Sequence, residues 1–164
     1  MKTFMKRCSI VLAVLMLALA LTACSNGKKN GGIGDTLSTM FFDYTVVSAE
    51  SPASYDGYTP ADGDKLVVLS VKVKNDFGST LPMYDTDFQL QWGDDDFAWA
   101  VDAFNADMMP LQWELADKTT ATYDMLFEVP ANITEFSLCY LEEYTDRNGK
   151  DQTGDFYSVD FTVE

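Results

Sequence analysis

Lys65-Leu-Val-Val-Leu-Ser-Val-Lys-Val-Lys74 puts Val67, Leu69, Val71 and Val73 in one phase and Ser70, Lys72 and Lys74 in the other. A period of two is the mark of a half-buried strand, because successive side chains leave an extended backbone on opposite faces. Asn75-Asp-Phe-Gly78 closes the run with turn-forming residues. Thr119 to Val129 repeats the pattern, with Ala121, Tyr123, Met125, Phe127 and Val129 on one side and Thr120, Thr122, Asp124 and Glu128 on the other, before Pro130 ends it.

Working outward, the same test predicts strands over Met40 to Ala49 (Phe42, Tyr44 and Val46 on one face) and Tyr84 to Trp92 (Phe88, Leu90 and Trp92). It also predicts Phe136 to Tyr144 and Phe156 to Val163, the latter with Tyr157, Val159, Phe161 and Val163 inward. Asp146-Arg-Asn-Gly149 carries the Asn-Gly of a tight turn, so these last two strands are expected to form a hairpin. Asp102 to Leu115 lacks alternation and reads as a crossover, with a short helical turn through Ala103, Phe104, Ala106, Met108 and Met109 before Pro110. About seven short strands with one long connection and no amphipathic helix predict an all-β fold, a Greek-key β-sandwich over residues 37–164. An up-and-down barrel is the lesser alternative. A domain of this size buries roughly two-thirds of its unfolded surface.

The N-terminus reads as an address. Lys2, Lys6 and Arg7 precede an apolar run from Cys8 to Leu21, too short for the roughly 20 residues a spanning helix needs and suited to a signal peptide over residues 1–23. Leu21-Thr-Ala-Cys24 then resembles the lipobox of bacterial lipoproteins. The resemblance implies cleavage before Cys24 and diacylglycerylation of its thiol. Two acyl chains, at about 0.8 kcal/mol per buried methylene, anchor stably. The expected location is the outer face of the cytoplasmic membrane, with residues 24–36 as a lipidated, flexible tether whose Lys28 and Lys29 lie near anionic headgroups.

Composition narrows function. There are 26 acidic residues against 11 basic and no histidine, for a formal charge of −15. Removing the signal moves it to −18, because Lys2, Lys6 and Arg7 leave. Such a surface repels phosphate backbones, so no nucleic-acid partner is expected. The missing histidine removes the usual Ser-His-Asp and Cys-His pairs and the commonest neutral-pH base, so no catalytic residue is assigned. After processing, Cys139 is the sole thiol of the folded part, no internal disulfide can form, and packing is its expected role. With 47% hydrophobic residues the chain still has the material for a core.

A wider resemblance rests on Gly63 to Asn75, on Asp87-Phe-Gln-Leu90, on Tyr123-Asp-Met-Leu-Phe-Glu-Val-Pro130 and on the final hairpin. The Lys-Asn strand end at Val73-Lys-Asn75 and the Phe127-Glu-Val-Pro130 strand look like the immunoglobulin-like domains of unknown function on Gram-positive lipoproteins, similar in fold to a small secreted mycobacterial antigen. It spans about Asp35 to Glu164 and implies an immunoglobulin-like sandwich outside the cell, with no assigned reaction. The chain departs from that pattern where Ala116-Asp-Lys118 replaces the usual Pro-Gly.

Two sets of residues are candidate sites. Asp85 and Asp87 open one predicted strand and Asp94, Asp95 and Asp96 follow it, a set of oxygens that could take calcium, although no EF-hand spacing is present. That metal would serve an adhesion module or a weak metal-dependent hydrolase. Asp146 to Asp151 resembles half of a calcium loop with its glycine two places early, and reads as turn chemistry. Phe97, Trp99, Phe104 and Trp113, with Trp92 and Met108-Met109, concentrate apolar bulk that either fills the core or binds a protein or envelope partner. Tyr55 and Tyr58 admit the same two readings. Asn132-Ile-Thr134 matches a glycosylation acceptor without meaning in a bacterial lipoprotein. The favoured function is a non-catalytic, lipid-anchored binding or accessory module of the envelope.

Overall fold

The computed structural model describes residues 29–164, so the signal segment and Cys24 lie outside the described residues. Strands follow in the order β1 (Asn30–Gly32), β2 (Thr36–Ser38), β3 (Asp43–Glu50), β4 (Asp64–Lys74), β5 (Leu81–Tyr84), β6 (Gln89–Trp92), β7 (Asp96–Ala98), β8 (Gln112–Leu115), β9 (Thr120–Pro130), β10 (Glu135–Thr145) and β11 (Asp151–Thr162). One sheet has the order β2-β3-β4-β9 and the other β1-β11-β10-β6-β7, while β5 and β8 form a separate ribbon. Because β4 pairs with β9 and β6 with β10, the chain changes sheet after β4, returns for β9 and changes again for β10. These interlocked crossovers make an all-β, Greek-key sandwich, consistent with the immunoglobulin-like arrangement in which the second strand meets the fifth across one sheet and the third meets the sixth across the other.

The inward phase read from the sequence is the core. Val67, Leu69, Val71 and Val73 of β4 are fully buried and register with Phe127, Met125, Tyr123 and Ala121 of β9. From the opposite sheet come Phe88, Leu90, Leu138, Tyr140, Tyr157 and Val159. Phe42, Tyr44, Phe88 and Tyr140 form a ring cluster, the tightest pair being Phe42–Tyr140 at 4.8 Å between centroids. A bulge in β3 leaves Val47 unpaired and exposed. Asn75, at the strand end the resemblance singled out, is fully buried: its Nδ2 donates to Ser79 O and Leu115 O, and its Oδ1 accepts from Phe77 N. That asparagine is a turn fastener. In the turn that departs from Pro-Gly, Lys118 takes the left-handed conformation (φ 60°) and Asp117 Oδ1 accepts from Gly78 N.

Three expectations change. Residues 30–36, read as tether, belong to the sandwich: β1 runs parallel to β11, and Ser158 N donates to Lys29 O. Gly31 permits this because a Cβ there would sit 3.0 Å from Asp35 Cβ and 3.2 Å from Leu37 Cδ2. Second, Tyr84 to Trp92 is broken by a 3-10 turn at Asp85–Asp87. Asp87 Oδ2 accepts from Tyr84 N and Asp85 Oδ1 from Thr86 N, local bonds that compete with the ladder and let β5 leave for β8 while β6 joins β10. Third, the 102–115 crossover forms no helix. Residues 101–109 lie along the open edge of β9, where Val101 N donates to Leu126 O (2.7 Å), Asp124 N to Asp107 O (2.8 Å) and Met109 N to Asp124 O (2.9 Å), while Gln112–Leu115 forms β8.

That crossover also settles Tyr55 and Tyr58. On the outer side of β4 and β9, Leu66, Leu126 and Met108 form a second buried cluster with Tyr55, Tyr58, Val101 and Ala103 packed on it. The phenols of Tyr55 and Tyr58 donate to Asp124 Oδ2 and Glu128 Oε2, and Glu128 Oε1 accepts from Ala61 N. The loop is therefore a cover for the Leu66–Leu126 end of that sheet, while Lys72, Lys74, Thr120 and Thr122 stay exposed at the other end.

Candidate binding face

The outer face of the β1-β11-β10-β6-β7 sheet is built by the phase that points away from the core. Register sets Gln89 opposite Cys139, Gln91 opposite both Ser137 and Phe97, and Leu141 opposite Phe156. Outward positions on a solvated strand are ordinarily polar, yet Phe97, Trp99, Leu141 and Phe156 are 42–51% exposed. Phe97 and Trp99 brace each other edge to face at 5.8 Å. Between Trp99, Leu141 and Phe156 lies an open groove of about 310 Å³ with Gln89 and Gln91 in its wall and Asp87 and Glu143 at its margin. A second opening, about 660 Å³, runs past Trp92, Asp94, Glu135 and Asp160. Among the described residues no lysine or arginine lines either one.

Cys139 lies at the base of this face, buried, with Sγ 3.6 Å from Ser137 O. Burial first, and then the charge of Asp160, push its thiol up to about 12, so it stays protonated and is a packing group rather than a nucleophile. The carboxylates differ among themselves. Burial pushes Asp87 up to about 6, helped by the charge of Asp85 and opposed by the hydrogen bond from Tyr84. Burial also raises Asp85, with Asp102 adding to it.

Sequence-predicted residues are brought together only in part. Asp85 and Asp87 precede β6 whereas Asp94, Asp95 and Asp96 follow it, exposed at the β6–β7 turn, so the strand holds the two groups at its opposite ends. Among the described residues no three His, Cys, Asp or Glu side chains converge as a metal site. The five aspartates are thus not one cage. Asp146 Oδ1 accepts from Asn148 N and Lys150 N, bonds that lower its pKa and occupy it in hairpin closure. The thermal midpoint of the folded chain is therefore expected to be equal in calcium and in chelator at matched ionic strength. A calcium-specific rise of a few degrees, as saturating ligand gives, would reinstate the aspartate turn as a site.

The aromatic set separates too. Phe97 and Trp99 share the open face, but Phe104 is in the cover over β4 and β9, stacked on Tyr58 at 5.9 Å. Trp113 is half-buried against the core, 5.0 Å from the Tyr123 ring, and its Nε1 is buried without a hydrogen-bond partner. It belongs to packing and not to a surface patch. Leu141 and Phe156 were missed. Their signal was present, since each is a large apolar residue in the outward phase of its strand.

No protein-family model matches the chain, and no curated protein matches it. Solved structures do match. The YjhA protein of Bacillus subtilis superimposes with a TM-score of 0.60 at 14% identity, over 82% of this chain and 99% of that one. The secreted protein MPT63 of Mycobacterium tuberculosis gives 0.55 at 14% identity, over 84% and 99%. YcdA of Bacillus subtilis, described as a candidate lipoprotein, gives 0.56 at 19% identity over 77% of this chain, which spans only 38% of YcdA. The likeness is one of fold. It agrees with the sandwich implied by the Lys-Asn and Phe-Glu-Val-Pro strands.

Proposed function

We propose that the protein is a non-catalytic, lipid-anchored module of the bacterial cell envelope, and that the outer face of the β1-β11-β10-β6-β7 sheet binds a protein partner bearing basic groups. The observation that carries this reading is the exposed quartet Phe97, Trp99, Leu141 and Phe156, of which the last three line a polar, acid-margined groove and Phe97 braces Trp99. Large apolar side chains left in the outward phase of one sheet, where the open part of the other sheet carries Lys72, Lys74, Thr120 and Thr122, make a patch of the kind that interfaces use. Acidic lining without a counter-cation favours a basic partner and speeds its encounter. Placement outside the cell is supported by the lipobox at Cys24, by the secreted nature of MPT63 and by the lipoprotein description of YcdA. Among the described residues no helix is long and apolar enough to cross a membrane, so the Cys24 lipid is the proposed attachment.

The test is chemical cross-linking of the tethered protein on intact cells, followed by recovery of the adduct. With Phe97→Ser and Trp99→Ser together, recovery is expected to fall about tenfold, since central aromatic anchors carry most interface energy. Added salt should weaken it further. Equal recovery from the double variant and the parent would sink the assignment of this face.

A further inference from the structure

On the core side of Asp87 lies a cleft of about 300 Å³ whose walls include Phe42, Leu81, Met83, Tyr140 and Tyr144. Asp87 and Glu143 line it, and the same two residues line the neighbouring groove, so they form the ridge between the two. Neither is in an ion pair with a described residue, and among the described residues no lysine or arginine lines the cleft. Asp87 has one hydrogen bond, from Tyr84 N to Oδ2, and its Oδ1 has none from a described residue. Tyr140, buried and raised well above the ordinary phenol range by burial and then by the charge of Asp87, keeps its proton.

We propose that this cleft binds a small organic ammonium ion with an apolar body, an alkyl- or arylalkylamine. Two carboxylates without a cation supply the missing charge complement. The aromatic residues Phe42, Tyr140 and Tyr144 in its wall give an apolar body a surface to pack on and set π-systems near the cation. The volume sits at the lower end of small-ligand pockets, about 300 Å³, which selects a free amine over a longer segment of a partner. This site is separate from the quartet: Phe97 and Trp99 do not line the cleft.

Ligand-observed NMR and calorimetry on the folded chain test it with phenethylammonium as probe and phenethyl alcohol as its uncharged match. The amine is expected to bind, with the alcohol and the Asp87→Asn variant each weaker by about tenfold, the value of one desolvated charge contact. Glu143→Gln should weaken binding less, its side chain being exposed. Phe97→Ser with Trp99→Ser should leave amine binding intact even if it abolishes partner recovery, so the two proposals fail independently. Equal binding of amine and alcohol, no binding of the amine at millimolar concentration, or tighter binding of a blocked lysine peptide than of the free amine would each overturn the assignment.

Discussion

Glu142→Ala is expected to lower stability by about 3 kcal/mol, roughly 10 °C in the thermal midpoint of a domain this size. Glu142 occupies an inward position on β10 and is 2% exposed, with one carboxylate oxygen accepting from Met40 N (2.6 Å) and the other from Asp155 N (3.0 Å). The first contact ties β10 to the loop before β3, and the second holds β11 at the bulge where register shifts between Leu141 and Glu143. Hydrogen bonds to a charged acceptor contribute about 1.5–3 kcal/mol each, and alanine removes both while leaving two amides short of a partner. Gly154 confirms how closely the carboxylate is held, since a Cβ at that position would collide with it. Glu142→Gln keeps one acceptor and should fall between parent and alanine. A midpoint within two or so degrees of the parent for Glu142→Ala would mean that water replaces both bonds at no net loss.

Glu142 also marks where sequence reading succeeded and where it ran out. The alternation in β4, β9 and β11 predicted the face that packs inward, because burial of one face imposes a period that no turn or loop mimics. An acid in the inward phase of β10 was legible as an anomaly, but its partners lie far along the chain, and only the fold brings them together. The same holds for Asp85 and Asp87, which look in sequence like neighbours of Asp94 to Asp96; four residues of β6 separate the groups in space. Glycine-rich Asn30 to Gly34 read as spacer because composition reports freedom in the unfolded chain. It does not report the close approach to Asp35 and Leu37 that glycine also permits. Leu141 and Phe156 were overlooked for the opposite reason: attention to the inward phase hides apolar residues in the outward one. Phe104 and Trp113 were grouped with Phe97 and Trp99 by proximity in sequence, and the crossover along β9 sent them to other surroundings.

Asp87→Asn is expected to stabilise the protein at about pH 8 and to change little at about pH 4. In the folded chain burial lifts the Asp87 carboxyl from its ordinary 3.8 to about 6. A carboxylate with a raised folded pKa favours folding fully below its unfolded pKa, where both states hold the proton, and that advantage is lost as pH rises through about 6. Above that pH the folded state carries an ionised group that the unfolded state solvates better. A shift of this size amounts to about 2–3 kcal/mol, which the amide avoids by staying neutral while its oxygen still accepts from Tyr84 N. Asp85, raised by burial in the same direction, adds to the trend in the parent. Thermal midpoints of parent and variant across this range give the measurement, and a difference that is negative, or constant with pH, would refute the burial argument. If the variant is the more stable protein at neutral pH yet has lost phenethylammonium, the charge at Asp87 is retained against stability, and the amine is what compensates it. If stability rises and amine binding is unchanged, the cleft binds through its rings alone and the ammonium assignment falls.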